Sequence, residues 1–131
     1  MDLELRGRVA LVTGGGRGIG RAVCLGLAAQ GADVALCGRT LETLEATARD
    51  IRAYGVRALP VVADVSELAN IQHFIGEVAE AAGGVDILVS NAVSSQSAPF
   101  DEQTDDHWRH HIDVKLMAYI RGAREVLPHM K

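Results

Sequence analysis

Short apolar runs alternate along the chain with longer stretches in which apolar residues recur every three or four positions. Residues 8–13 (Arg8, Val9, Ala10, Leu11, Val12, Thr13) form such a run and lead into glycines, the pattern of a strand buried on both faces. Residues 33–37, 57–62 and 86–89 give three more strands. Residues 18–30 read as a helix stopped by Gly31. A second helix, capped by Thr40, carries Leu41, Leu44, Ala48 and Ile51 at helical spacing and ends before Gly55. A third, capped by Ser66, has the stripe Ile71, Phe74, Ile75 and Val78 and closes at Gly83 and Gly84. The polar stretch 94–99 reads as a loop. The last helix starts at Thr104 or Asp105 and runs towards Pro128, with Asp105 and Asp106 in its first turn and Arg121, Arg124 and His129 towards its far end, matching the helix dipole. At about 100° per residue, Lys115 shares a face with Trp108, Ile112 and Tyr119, and that face should point inward. Val114, Met117 and Ala118 then fall on the outward side. The order βαβαβαβα predicts an α/β fold, a parallel sheet with helices on both faces and no internal linker.

Composition narrows the picture without changing it. The 131 residues suit one domain with its own core. Hydrophobic residues at 48% and charged residues at 23% argue against disorder, and aromatics at 4% leave the core to Ala, Val, Leu and Ile. A net charge of −4 speaks against non-specific nucleic-acid binding. Cys24 and Cys37 lack metal-ligand spacing and read as buried thiols of a reducing compartment. No apolar run nears the roughly 18 residues of a membrane span, and the first eight residues have no signal-peptide core. The expectation is a soluble, cytoplasmic protein with neither nucleic acid nor membrane as partner.

The candidate chemistry lies after the first strand, in Thr13, Gly14, Gly15, Gly16, Arg17, Gly18, Ile19 and Gly20. Glycines let the backbone turn tightly and come close to a ligand, and the helix that starts there offers free N–H groups and a positive dipole to a pyrophosphate. A flexible turn is the plainer alternative, but a strand before and a helix after favour phosphate binding. No Gly-Lys-Ser/Thr follows, which excludes a P-loop. The end of the second strand selects the cofactor. NAD(H) needs a carboxylate there for the ribose 2′-hydroxyl, whereas this chain has Cys37, Gly38 and Arg39. Arg39, with Arg17 in the loop, suits a 2′-phosphate, so NADP(H) is expected ahead of NAD(H).

These motifs resemble the short-chain dehydrogenase/reductase family over the whole chain. The family's glycine loop corresponds to Thr13, Gly14, Gly18 and Gly20, and its Asp-Val after the third strand to Asp64 and Val65. Its Asn-Asn-Ala-Gly is half kept, as Ser90, Asn91, Ala92 and Val93. Trp108, the run Ile112, Asp113, Val114, and the run Leu127, Pro128, His129, Met130 match its fourth helix. The resemblance implies a Rossmann-like doubly wound sheet in the order 3-2-1-4, the first half of the family's fold. It implies that Gly14, Gly16, Arg17, Gly18, Ile19, Gly20, Arg39, Asp64, Val65, Asn91 and Ala92 bind the cofactor. Asp64 would accept from the adenine amino group, Val65 would pack on the ring, and Asn91 and Ala92 would line the ribose. A turn role for Asp64 and a bracing role for Asn91 are the structural alternatives. Lys115 stands where the family usually has an Asn that holds a proton-relay water; it is the one candidate catalytic residue, against a packed stem with its amine reaching out.

The family's catalytic Tyr and Lys lie four positions apart. Here Tyr54 is followed at that spacing by Ala58, and Tyr119 by Ala123. The resemblance therefore places Ser, Tyr and Lys beyond Lys131, with residues 1–131 as the dinucleotide-binding part. It implies hydride transfer with a small carbonyl or alcohol, and a homo-oligomer formed through the last helix. A truncated, non-catalytic module for dinucleotide binding or subunit assembly is the alternative. His107, His110 and His111 cluster without a carboxylate or Cys to complete a ligand set, so no metal is expected.

Overall fold

Val9, Ala10, Leu11 and Val12 are all buried, which marks Val9–Thr13 as the central strand, β1. The structure, a computed structural model, describes residues 1–93 and 98–130; of the loop expected at 94–99 only Ala98 and Pro99 fall within it. β1 pairs in parallel with β2 (Asp33–Gly38), Leu11 opposite Ala35, and with β4 (Ile87–Val89), Leu11 opposite Leu88. β3 (Ala58–Val62) lies outside β2. The sheet order is β3-β2-β1-β4, the expected doubly wound, Rossmann-like arrangement.

Alternation along the strands divides the core into two layers. Val12, Val34 and Leu36 face α1 (Gly18–Ala29) and α2 (Leu41–Arg52), where they meet Cys24, Ala28, Leu44, Ala48 and Ile51. Leu11, Ala35 and Cys37 face the opposite layer, including Ile71, Phe74, Ile75 and Val78 of α3 (Leu68–Ala82). Burial pushes the Cys24 and Cys37 thiols up to about 12. No helix among the described residues is long and apolar enough to cross a membrane.

Three local expectations are corrected. Glu67, not Ser66, is the N-cap of α3; the Ser66 N–H and hydroxyl instead donate to one Asp64 oxygen, at 3.0 and 2.8 Å. Thr40 sits at the N-cap of α2 without a side-chain bond there, and the Thr43 hydroxyl donates to its carbonyl at 3.0 Å. The third correction concerns the last helix. Its start is as expected: Thr104 caps α4 (Asp105–His111), accepting from the His107 N–H while its own N–H donates to His107 Nδ1. A π-helical segment, Ile112–Met117, then precedes α5 (Ala118–Met130). In a π-helix each bond spans i to i+5, so each residue turns the chain by less than in an α-helix and a constant α-step overruns. Val114 and Ala118 therefore point into the core with Gly122 and Val126, not outward. Trp108 and Ile112 are 44% and 47% exposed, and Lys115 is exposed with them. Of the face expected to point inward, Trp108, Ile112 and Lys115 lie outside, while Tyr119 packs half-buried on the core and its hydroxyl donates to the Ala92 carbonyl at 3.4 Å.

Candidate functional site

The carboxyl ends of all four strands open into one cavity of about 720 Å³. Gly14, Gly16, Arg17, Gly18 and Ile19 enter it after β1, Gly38, Arg39, Thr40 and Thr43 after β2, Ala63, Asp64 and Val65 after β3, and Asn91, Ala92 and Val93 after β4. It lies where the chain order reverses between β1 and β4, the position at which doubly wound sheets take their ligands.

The glycine loop is shaped for something placed close to its backbone. Gly14 and Gly18 have φ of +73° and +59°, a region that side chains rarely adopt. A Cβ on Gly20 would be driven into the Gly14 carbonyl, and one on Gly15 would approach the Leu36 Cβ at 2.6 Å. Gly20 and Gly15 are thus packing glycines that let the turn close, while Gly14, Gly16 and Gly18 face the cavity. Arg17 is the N-cap of α1 with no side-chain bond to the helix, and the first turn of α1 holds no acidic residue. The free N–H groups and the positive dipole end are left to an anion.

The rim carries both signs of charge at defined places. Arg17 and Arg39 are exposed cations on the cavity wall, and no carboxylate follows β2. Asp64 lines the side below β3. Burial pushes its pKa up, but the two Ser66 hydrogen bonds and the charges of Arg39 and His110 outweigh that effect and hold the carboxyl below its usual range. Asp64 is therefore both a turn residue and a cavity residue. The same is true of Asn91, whose amide donates to the carbonyls of Thr13 and Gly14 at 3.2 and 3.3 Å while the residue lines the cavity. These residues fit a dinucleotide: a phosphate cradle at a helix N-terminus, two guanidinium groups beyond it, and a carboxylate beside the apolar wall of Val65 and Val114.

Ten of the eleven residues expected to bind the cofactor line this one cavity; Gly20 lies behind the loop. Lys115 is outside the lining, although its neighbour Val114 is part of it. Several roles escaped the sequence reading. Thr13, read there only as the first residue of the glycine loop, accepts with its hydroxyl from the Asn91 and Ala92 N–H groups at 2.9 and 3.0 Å and so ties the end of β1 to that of β4. Thr43 and His110 line the wall, and buried Thr47 donates to the Gly16 carbonyl at 3.3 Å. A Thr at helical spacing carries no signal of a partner some thirty residues away. Among the described residues, no three or more His, Cys, Asp or Glu side chains are grouped to hold a metal.

Comparison with known proteins gives this geometry a context. Residues 8–131 match the family model described as short chain dehydrogenase. An uncharacterized oxidoreductase of Bacillus subtilis, YvrD, is 35% identical over 130 residues, which are 99% of this chain and 49% of that protein. The L-sorbose reductase of Gluconobacter frateurii, solved with NADPH and L-sorbose, superposes with a TM-score of 0.94 at 35% identity, covering 99% of this chain and 50% of that one. A xylitol dehydrogenase with bound NAD+ superposes with a TM-score of 0.90 at 29% identity, covering 97% and 49%. The chain thus spans about half or less of the length of the curated relatives it matches.

Proposed function

The chain belongs to the short-chain dehydrogenase family, and on that premise we propose that it is the dinucleotide-binding part of an NADP(H)-dependent oxidoreductase acting on a small carbonyl or alcohol. The observation that carries the reading is the pairing of Arg17 and Arg39 on one cavity wall with no carboxylate after β2. A 2′-phosphate needs cations at that place and repels a carboxylate; a free 2′-hydroxyl has the opposite need. The NADPH-bound sorbose reductase is also the nearer of the two solved neighbours in identity and in TM-score.

In this reading the backbone of Gly14, Gly16 and Gly18 and the first turn of α1, with Ile19, receive the pyrophosphate. Arg39 stacks beside the adenine and, with Arg17, holds the 2′-phosphate. Asp64, kept ionised, offers the carboxylate oxygen that Ser66 leaves free to the adenine amino group, while Val65 and Val114 flank the ring. Asn91 commits its amide to β1, so with Ala92 it holds the strand end that borders the ribose. When bound, the nicotinamide supplies or accepts the hydride. Ser, Tyr and Lys follow Lys131 in the full-length protein and handle the substrate proton. Lys115 stands at the sequence position of the family Asn, exposed and beside Val114, which lines the cleft. The exposed face of the last helix, with Ile112, Leu116 and Ile120, meets a second copy in a cytoplasmic homo-oligomer.

The test is NADPH oxidation by the full-length protein with a panel of carbonyls: 3-oxoacyl thioesters, ketoses, steroids and aromatic ketones. Turnover of at least one class is expected. Dinucleotide binding without turnover of any would favour the non-catalytic module instead. Lys115→Met should lower turnover and leave NADPH affinity unchanged; equal turnover would reduce Lys115 to a packed stem.

A further inference from the structure

The loop that receives the pyrophosphate is held from the side by α2. Thr47 is the one fully buried polar side chain among the described residues, and its hydroxyl donates to the Gly16 carbonyl at 3.3 Å. One turn earlier, Thr43 packs so closely on the same glycine that a Cβ on Gly16 would lie 2.6 Å from its Oγ1. One turn further along the helix, Asp50 pairs with Arg21 of α1. Thr43, Thr47 and Asp50 share one face of α2. They clamp the loop and the first turns of α1 against the helix that begins two residues after Arg39.

This clamp has a geometric consequence. Arg17 follows Gly16, and Arg39 precedes α2 by two positions. The two arginines belong to different segments, and both are exposed on the cavity wall. The Gly14 and Gly15 N–H groups donate to the Cys37 carbonyl at 2.9 and 3.2 Å and fix the start of the loop against the end of β2. Beyond Gly15, the seat of α2 on Gly16 adds to what sets the separation of the two arginines. Thr47 makes the hydrogen bond that fixes this seat, and it does so from the interior, without reaching the cavity.

We propose that Thr47 is a positioning residue for NADP(H) specificity: by anchoring Gly16 to α2 it fixes Arg17 and Arg39 at the spacing that lets both engage one 2′-phosphate. The inference rests on the proposed NADP(H) reading of the same site. Gly16 also borders the pyrophosphate, but the groups that would receive it are N–H donors of the loop and of the α1 N-terminus, not the Gly16 carbonyl that Thr47 holds; the Arg17–Arg39 span would serve the 2′-phosphate alone. Loss of the hydroxyl should therefore weaken binding of the 2′-phosphorylated cofactor more than that of NADH.

The experiment is calorimetric titration of the full-length protein and of Thr47→Val and Thr47→Ser with NADPH, NADH and adenosine 2′,5′-bisphosphate, with the melting temperature of each ligand-free protein measured in parallel. Valine keeps the shape and removes the donor; serine keeps the donor. Thr47→Val should bind NADPH and the bisphosphate about fivefold more weakly, the effect of one neutral hydrogen bond, with NADH affected less than about twofold and Thr47→Ser near the parent. Equal losses for NADPH and NADH, or no loss, would overturn the proposal. A parent protein that prefers NADH, or binds neither dinucleotide, would instead overturn the reading of the site itself.

Discussion

In the proposed reading, Arg39 follows β2 at the place where a carboxylate would favour NADH and a cation NADPH. Arg39→Ala should weaken NADPH about tenfold or more, as expected for a charge-assisted contact, and change NADH little. Titration of the variant with both cofactors checks this, and equal losses would remove Arg39 from the phosphate site. Gly20 tests the loop itself. Because its Cβ would collide with the Gly14 carbonyl, Gly20→Ala should lower stability by about 1–3 kcal/mol, in the range of overpacking, and abolish dinucleotide binding. Calorimetric unfolding and titration read the two effects separately. Asp64 gives a pH test. Its carboxyl titrates below its ordinary value of 3.8, so its contribution to stability is complete above that pH and is lost as pH falls through the lower folded value. Asp64→Asn should flatten the acid limb of the stability curve, measured by urea unfolding between neutral and strongly acid pH. Which residues could be read in advance follows from the kind of contact each makes. Glycines at a strand–helix junction and an arginine after a strand announce a ligand by residue type and place. Thr13 and Thr47 act through hydroxyls bonded to backbone in distant segments, and only the folded chain brings those together.

At the scale of the elements, the strands and the first three helices follow directly from apolar spacing, with ends displaced by one or two residues as fraying and capping dictate. Ser66 looked like a helix cap because Ser is a good one; the nearer Asp64 carboxylate takes its hydroxyl and N–H instead. The last helix is where periodicity failed. Apolar residues occur all along it, so composition could not choose a face, and the π-helical segment Ile112–Met117 breaks the constant angular step on which the choice relied. The outcome moves the exposed apolar side chains to Trp108, Ile112, Leu116, Ile120 and Leu127. If that face meets a second copy, Ile120→Glu should shift the full-length protein to a smaller species in light scattering while NADPH affinity stays within about twofold, since a buried unpaired charge is not tolerated in an interface. An unchanged mass would exclude this face as the contact.

The whole molecule is a two-layered wrap of helices around a short parallel sheet, and its site exists only because four strand ends converge. Its interior is dry enough to keep both thiols protonated: with Cys24 and Cys37 pushed up to about 12, neither should react with a thiol reagent at pH 8 until the fold opens. Both should react once denaturant is added, which makes thiol labelling a probe of global unfolding. The central claim concerns the cavity and the cofactor it selects. It is tested most directly by titrating NADPH and NADH separately into the full-length protein under identical buffer and salt. The account predicts NADPH bound at least about tenfold more tightly, the value of a charged 2′-phosphate contact; NADH bound equally or more tightly would contradict it.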